Sequence, residues 1–220
     1  MNAFKPELAE KISKCGIIAV LVIDDASKAV KLAETLLENG ISAMELTLRT
    51  NAAIDALKQI KKHVPEMVAG CGTVLTPEQV DQVYDAGAEF AVAPGLNRRV
   101  VERALKLGLS YAPGIVTPSD IELAVELGCR LLKFFPAETS GGLKHLKAMA
   151  APYQHLGLSF IPLGGLNAAN LKSYVESPLV GAVGGSWIAG REAIAADDWA
   201  GIAKNAAEAV AVVKAVRGGK

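Results

Sequence analysis

The sequence contains 220 residues, of which 23 are basic and 23 acidic, so its formal net charge is zero. That length fits one large domain or two small ones, and a hydrophobic content of 51% is enough to build a sizeable core. Because the chain has neither a basic excess nor a block of like charge, the composition gives no support for a nucleic-acid partner.

Cysteine use and hydropathy indicate a cytoplasmic protein. Cys15, Cys71 and Cys129 are an odd number of cysteines at wide spacing, so they predict neither a disulfide framework nor a metal-ligand pattern. The N-terminal residues contain no apolar signal core, and no apolar run approaches the roughly 20 residues that a membrane span needs. We therefore expect a reducing, cytoplasmic location and no membrane partner.

Taken in chain order, the hydrophobic patterns predict a short leading helix at 7–14 and then eight strands that alternate with helices. The predicted strands lie at 16–23, 41–48, 66–72, 89–93, 109–112, 129–135, 159–163 and 180–183. The predicted helices lie at about 26–39, 52–63, 76–86, 97–108, 117–128, 143–151, from 167 onwards and at 197–216. Such an alternation is typical of βαβ units and parallel strands.

A repeated pattern supports one architecture over the whole chain. Several predicted helices end at a glycine that is followed by one residue and then a strand, at Gly40, Gly87, Gly108 and Gly128. Eight units without a linker predict a single domain over residues 1–220, a (β/α)8 TIM barrel with a short N-terminal helix. The competing fold is a doubly wound open sheet, but no GxGxxG motif follows the first strand.

One lysine stands inside a predicted strand of large apolar residues. Lys133 lies between Leu132 and Phe134, where its charge is costly to remove from water. A buried lysine either pairs with an anion or loses its proton, and a neutral amine is a nucleophile toward carbonyl carbon. Two structural alternatives stay open: Lys133 reaches water at the strand end, or it pairs with an acid and has no chemical role.

The second predicted strand has one apolar and one polar face. Glu45, Thr47 and Arg49 share the polar face, which in a barrel points toward the C-terminal strand ends where active sites lie. Glu45 is therefore a candidate general acid/base across the barrel mouth from Lys133. The alternative is an ion pair between Glu45 and Arg49.

The last two predicted strands are followed by glycine pairs, Gly164-Gly165 and Gly184-Gly185, with Ser186 after the second pair. Loops with exposed backbone amides after the seventh and eighth strands of a barrel commonly bind phosphate. Two such loops at these two strands therefore predict a phosphate-binding end of the site.

The other strand ends carry weaker signals. Thr73 offers a hydroxyl after the third strand, and Pro94 and Pro113 begin turns after the fourth and fifth strands. The three histidines lie on or near predicted helices without metal-ligand spacing to a carboxylate at a strand end, so we predict no metal.

Six motifs together resemble the bacterial 2-keto-3-deoxy-6-phosphogluconate (KDPG) aldolases, which are also described as 4-hydroxy-2-oxoglutarate aldolases. The motifs are MELTLRT at 44–50, CGTVLTPEQ at 71–79, APGLN at 93–97, KFFPAE at 133–138, GGLN at 164–167 and GGSW at 184–187. The resemblance runs from about residue 16 to the last helix, and KFFPAE with ELTLR and GTV is its most specific part.

The resemblance implies a class I aldolase of the Entner–Doudoroff pathway that cleaves KDPG to pyruvate and glyceraldehyde 3-phosphate. It also implies cleavage of 4-hydroxy-2-oxoglutarate to pyruvate and glyoxylate. Lys133 matches the Schiff-base lysine, and Glu45 matches the proton-shuttling carboxylate. The matching substrate-binding residues are Arg49, Thr73, Pro94 and Phe135, and the matching phosphate-binding residues are Gly164, Gly165, Gly185 and Ser186.

The resemblance further implies a homotrimer that uses no metal or other cofactor besides the covalent adduct on Lys133. One departure concerns the first strand, because some relatives carry a basic residue near its end where this chain has Val22-Ile23-Asp24. Two other functional classes stay open. One is a phosphate-binding barrel isomerase or epimerase that uses Lys133 as a base. The other is a non-catalytic sugar-phosphate binding protein in which Lys133 pairs with Glu45.

Overall fold

The computed structural model describes residues 3–218, which form ten α-helices, nine β-strands and three short 3-10 turns. The strands are β1 (Ile17–Leu21), β2 (Ala43–Thr47), β3 (Val68–Gly72), β4 (Phe90–Val92), β5 (Ser110–Ala112), β6 (Gly114–Ile115), β7 (Leu131–Phe134), β8 (Ser159–Pro162) and β9 (Val183–Gly185). The helices are α1 (Pro6–Cys15), α2 (Ala29–Glu38), α3 (Ala53–His63), α4 (Pro77–Asp85), α5 (Arg98–Leu107), α6 (Pro118–Glu126), α7 (Gly142–Ala150), α8 (Ala168–Val175), α9 (Arg191–Ala195) and α10 (Trp199–Arg217). The 3-10 turns are Ala26–Lys28, Glu138–Ser140 and Ala151–Leu156. Residues 1, 2, 219 and 220 of the predicted domain lie outside the described range.

The strands lie in two parallel sheets. Six strands follow the order β5-β4-β3-β2-β1-β9, and three follow the order β6-β7-β8. The predicted α/β fold with parallel strands is thereby confirmed. These ladders do not form the predicted single closed eight-stranded sheet. At two places, called the first and the second seam below, no ladder joins the six-stranded sheet to the three-stranded sheet.

The first seam falls where one predicted strand divides in two. The chain runs through Ser110–Ala112 in the larger sheet, passes Pro113, and continues as Gly114–Ile115 in the smaller sheet. Pro113 has no N–H to donate to a ladder, but its carbonyl accepts a hydrogen bond from the Lys133 backbone at 2.9 Å. Gly114 is required here, because a Cβ at this position would lie 2.1 Å from the Pro94 carbonyl oxygen.

The second seam lies between β8 and the segment that leads into β9. Val180 forms an isolated parallel bridge with Phe160, and the Gly181 backbone donates to the Phe160 carbonyl at 3.0 Å. The last strand was predicted at 180–183, but the ladder with β1 places it at Val183–Gly185. The predicted bounds are wrong because two successive glycines usually indicate a loop, whereas Gly184 and Gly185 both pair with β1 within the sheet.

The helix starts follow the local sequence closely. Thr76 and Thr117 each form a capping box, and a proline occupies the first turn of the helix that follows each of them. Asp25 caps the 3-10 turn Ala26–Lys28 by accepting a hydrogen bond from the Ser27 backbone at 2.9 Å, so α2 itself begins only at Ala29.

Apolar side chains cover both faces of the strands. One face of the strands packs against the helices, and the other face forms an interior cluster with contributions from both sheets. The interior residues are Ile18, Val20, Ala43, Val68, Phe90, Val92, Ala112, Leu131, Ile161, Leu163 and Ala182. Phe4, Leu8 and Ile12, from α1 and the residues before it, join this cluster. The Phe4 and Phe90 rings lie 6.2 Å apart near the start of β4, so α1 covers the N-terminal ends of the strands and leaves the C-terminal ends open.

Among residues 3–218, no helix combines the length and the apolar character that crossing a membrane would require.

Candidate active site

A cavity of about 390 Å³ opens at the C-terminal ends of the strands. Strand residues and the loops that follow β2, β3, β4, β7, β8 and β9 supply its walls. The lining residues are Val20, Glu45, Thr47, Arg49, Thr73, Pro94, Lys133, Phe135, Leu163, Gly164, Gly184 and Ser186. Residues that are far apart in the chain therefore converge on one concave site, as parallel α/β folds commonly arrange.

Lys133 and Glu45 form a buried pair at the bottom of the cavity. The Lys133 Nζ atom lies 3.1 Å from Glu45 Oε1 and 3.5 Å from Oε2. Their side chains are only 6% and 2% exposed, so Lys133 does not reach bulk water. The Phe135 ring centroid lies 5.6 Å from the ammonium group and closes one side of the pair. Of the structural alternatives for Lys133, pairing with an acid is the one that the geometry shows.

Gly72 provides the space for the Glu45 carboxylate. A Cβ at Gly72 would lie 1.7 Å from Glu45 Oε1, well inside van der Waals contact. The backbone of β3 therefore approaches the carboxylate more closely than any other residue type permits. Because Glu45 is paired with Gly70 in the β2–β3 ladder, the carboxylate is held against this strand.

Thr73 lies in a strained backbone conformation beside the pair. Its φ angle is 61°, in the left-handed region that a β-branched residue rarely adopts. Neighbouring ladder bonds hold it there, since Leu48 donates to the Gly72 carbonyl at 2.8 Å and Val74 donates to the Val92 carbonyl at 3.2 Å. Such strain concentrates at functional sites, where the surrounding structure over-determines it.

Arg49 lies at the exposed rim of the cavity, two residues beyond the end of β2. The alternative of a Glu45–Arg49 ion pair is wrong, because the Glu45 carboxylate faces Lys133 instead. Within the described residues Arg49 makes no ion pair with an acidic side chain. Its guanidinium group is therefore available to an anionic ligand, for which its planar donor geometry is well suited.

The opposite side of the cavity is built from glycine backbone. Gly164 follows β8 with a φ angle of 96°, and Gly184 and Ser186 lie in and after β9. Gly165 is exposed and does not line the cavity, and Gly185 is buried within β9 and does not line it either. The cavity thus has a cationic side at Arg49 and an uncharged side of amides and one hydroxyl.

Four cavity residues received no individual role from the family resemblance: Val20, Thr47, Leu163 and Gly184. The Thr47 hydroxyl donates to the Leu21 carbonyl at 3.0 Å and joins the ends of β1 and β2 beneath the cavity. Its position two residues after Glu45 already places it on the polar face in the sequence, because alternate residues of a strand share one face.

No other amine and no thiol lines the described cavity. Burial raises the pKa of the Cys71 thiol to about 12, with the charge of Glu45 as a second cause, so this thiol stays protonated near neutral pH. Among residues 3–218, no three histidine, cysteine or acidic side chains are grouped so that they could hold a metal ion.

The sequence also matches a known family model. The model describes the KDPG and KHG aldolases, where KHG stands for 4-hydroxy-2-oxoglutarate, and it matches residues 8–205, most of the chain. The chain belongs to the KDPG and KHG aldolase family.

Individual members of the KDPG and KHG aldolase family match over nearly their whole length. The 2-dehydro-3-deoxy-phosphogluconate aldolase of Haemophilus influenzae is 38% identical over 214 residues, which cover 97% of this chain and 100% of the relative. The KHG/KDPG aldolase of Escherichia coli K12 is 40% identical over 203 residues, which cover 92% of this chain and 94% of the relative.

A crystal structure of the KDPG aldolase from Legionella pneumophila superposes with a TM-score of 0.84 at 35% identity and covers 94% of this chain and 97% of that one. In that structure pyruvate was captured as a covalent carbinolamine intermediate.

Proposed function

We propose that this chain is a class I aldolase that cleaves KDPG to pyruvate and glyceraldehyde 3-phosphate, and 4-hydroxy-2-oxoglutarate to pyruvate and glyoxylate. The observation that carries the proposal is the buried contact of 3.1 Å between Lys133 Nζ and Glu45 Oε1 inside the cavity. This contact joins a nucleophile to its proton acceptor in a site shielded from water.

Lys133 acts as the nucleophile in this mechanism. The Glu45 carboxylate takes a proton from the Lys133 ammonium group, and the neutral amine attacks the C2 ketone of the substrate. Glu45 returns this proton to the hydroxyl of the resulting carbinolamine, which leaves as water. The product is a protonated imine, which withdraws electrons from the C3–C4 bond, and Glu45 is again a carboxylate. The covalent carbinolamine captured in the Legionella pneumophila relative supports the same chemistry here.

Glu45 then acts as the general base of cleavage. It removes the C4 hydroxyl proton, directly or through one water molecule, and the C3–C4 bond breaks to release the aldehyde. The electron pair of that bond forms the enamine of pyruvate, which is protonated at C3 and hydrolysed from Lys133. Because the imine is itself the electron sink, the reaction needs no metal or other cofactor.

The two ends of the cavity suit the two ends of KDPG. Arg49 is assigned to the substrate carboxylate, with Thr73, Pro94 and Phe135 around the pyruvyl part. The backbone of Gly164 and the Ser186 hydroxyl are assigned to the phosphate, since amide donors bind phosphate without a lysine or arginine. Gly165 and Gly185 are assigned to the same end, where they shape the loop and strand that carry those donors.

The proposal extends to the whole molecule. The hydrogen bonds at both seams and the shared interior cluster support closure of the two sheets into one eight-stranded barrel, a single domain over residues 1–220. On the family resemblance we also propose a cytoplasmic homotrimer whose partner molecules are small 2-keto acids rather than nucleic acids or membranes.

Trapping the imine tests the proposal. The protein is incubated with pyruvate and borohydride, digested, and its peptides are weighed by mass spectrometry, with Lys133→Ala and a sample lacking borohydride as controls. We expect a reduced pyruvyl adduct on the peptide that contains Lys133. Absence of any adduct would refute the aldolase and leave an isomerase, an epimerase or a binding protein, which form no covalent intermediate on Lys133.

A further inference from the structure

We infer that Glu138 and Tyr174 form a tether that positions the Gly164–Gly165 loop and so tunes the site toward phosphorylated substrates. The inference rests on the proposed aldolase function and concerns two residues that the mechanism above does not use.

Backbone hydrogen bonds join the segment after β7 to the segment after β8. The Glu138 N–H donates to the Gly164 carbonyl at 3.0 Å, and the Ala137 N–H donates to the Leu163 carbonyl at 2.7 Å. Glu138 begins the 3-10 turn that follows β7, only five residues after Lys133 in the chain. The loop at the phosphate end is therefore attached to the strand that carries the nucleophile.

The Glu138 side chain extends this connection to α8. Its carboxylate accepts a hydrogen bond from the Tyr174 hydroxyl, and the Tyr174 side chain is almost fully buried. Burial raises the pKa of Tyr174 well above its usual range, and the bond to Glu138 raises it further. The hydroxyl therefore stays protonated near neutral pH and can donate to the Glu138 carboxylate.

Glycines make room for the tether on both sides. A Cβ at Gly165 would lie 2.7 Å from Glu138 Cβ, and a Cβ at Gly142 would lie 3.1 Å from Glu138 Oε1 and 3.3 Å from the Tyr174 hydroxyl. The carboxylate makes no ion pair with any basic side chain among residues 3–218. The tether therefore has a structural role: it connects the loop, the start of α7 and α8.

The tether contacts one side of the Gly164–Gly165 loop, and the other side of the loop faces the cavity. Gly164 lines the cavity, whereas the adjacent Gly165 packs against Glu138 outside it. Loss of the tether would displace the Gly164 amide from the phosphate while the Lys133–Glu45 pair stays in place. Loss of the tether should therefore weaken the binding of a phosphorylated substrate and leave the binding of a substrate without phosphate unchanged.

The test compares steady-state kinetics of Tyr174→Phe and Glu138→Ala on KDPG and on 4-hydroxy-2-oxoglutarate. Both variants keep the packing atoms, namely the buried ring and the Cβ that contacts Gly165. The matched control is Tyr153→Phe, which removes another tyrosine–glutamate hydrogen bond, the 2.9 Å bond from Tyr153 to Glu122 on the surface.

We expect KM for KDPG to rise about threefold to tenfold in both variants, as the loss of one hydrogen bond of ordinary net strength implies. The kcat for KDPG and both constants for 4-hydroxy-2-oxoglutarate should stay within about twofold of wild type, as should every constant of the control. Glu138→Gln should restore KM, since its amide oxygen can accept the Tyr174 hydrogen bond.

Three results would overturn the inference: an unchanged KM for KDPG in Tyr174→Phe, equal losses on both substrates, or a wild-type protein that cleaves only the dicarboxylate. Failure of the proposed function would look different, because the wild-type protein would then form no pyruvate adduct and cleave neither substrate.

Discussion

Lys133 and Glu45 would each be costly to bury alone, and the structure buries them together. Moving a charged group out of water costs several kcal/mol, and the mutual attraction of an ion pair offsets that cost only when the geometry is good. The separation of 3.1 Å and the almost complete burial of both side chains meet that condition. Each partner therefore offsets the burial cost of the other, so removing one of them should affect stability as well as activity.

Lys133→Ala should abolish aldol cleavage and pyruvate trapping, because no other amine faces the substrate in the described cavity. It should also lower the free energy of unfolding by about 3–5 kcal/mol, since Glu45 is left buried without its cation. Glu45→Gln should slow cleavage by about 10²–10⁴-fold, the usual contribution of a general acid/base. Pyruvate should still be trapped on Lys133 in that variant. Cleavage rates, borohydride trapping and urea unfolding measure the three effects.

The surface pair Lys14–Glu10, at 2.7 Å on one face of α1, serves as the control. Both side chains are well exposed, and solvent screens such pairs strongly. Lys14→Ala and Glu10→Gln should leave cleavage and unfolding unchanged. If Glu45→Gln instead kept wild-type turnover, the role of Glu45 as general base would be refuted.

Part of the site's residue list was predictable from the strand pattern alone. Glu45 and Lys133 stand out because a charge in an apolar strand needs a partner, and both lie where a barrel has its open end. The pairing itself was not predictable, since Arg49 was an equally good partner for Glu45 in the sequence. Only the tertiary structure decides it, because the contact of 3.1 Å between Lys133 Nζ and Glu45 Oε1 joins strands of two different sheets.

At the scale of the elements, glycines inside strands carry information that a local pattern cannot supply. Gly184 belongs to β9, and a Cβ there would lie 2.2 Å from the Leu163 side chain. Gly72 likewise ends β3 against the Glu45 carboxylate. A close approach between strands depends on the tertiary structure, so the sequence alone suggested a turn at 184–185, where the structure has a strand. Caps at Thr76 and Thr117 were predictable because their partners lie three residues away.

Gly72→Ala should remove most of the activity. Its methyl group would overlap Glu45 Oε1, and Glu45 would have to move away from Lys133. We expect kcat to fall by about 100-fold, within the range attributed to general acid–base catalysis. The free energy of unfolding should fall by about 1–3 kcal/mol from overpacking. Cleavage assays and urea unfolding provide the two measurements.

Gly95→Ala is the matched control, since Gly95 also follows a strand at the open end but has no heavy atom within 4 Å of an added Cβ. It should keep cleavage within about twofold of wild type and unfold normally, as expected for a surface change away from such contacts. Equal losses in the two alanine variants would refute the idea that Glu45 depends on the space at Gly72.

At the scale of the whole molecule, one arginine near the C-terminus joins distant parts of the chain. Arg217, in the last turn of α10, donates to the Ser13 carbonyl at 2.9 Å, to the Gly181 carbonyl at 2.8 Å and to the Val180 carbonyl at 2.8 Å. Burial lowers the pKa of Arg217, which reflects the cost of placing its charge there. These bonds connect α1 and α10 to the seam between β8 and β9, where backbone pairing is limited to one bridge.

Arg217→Ala should therefore destabilise the whole fold without changing the chemistry. Loss of hydrogen bonds from one charged donor to partly buried carbonyls should lower the free energy of unfolding by about 1.5–3 kcal/mol. The active cavity lies at the other end of the strands, so kcat on KDPG should stay within about twofold of wild type.

Lys214→Ala, one turn earlier on the exposed side of α10, should match the wild type in both assays. Urea unfolding followed by circular dichroism and by tryptophan fluorescence should show one coincident transition for all three proteins, as the proposed closed single domain would unfold as a unit. Two separated transitions in the wild-type protein would contradict unfolding as one unit, and an Arg217→Ala protein as stable as the control would show that Arg217 does not stabilise the seam.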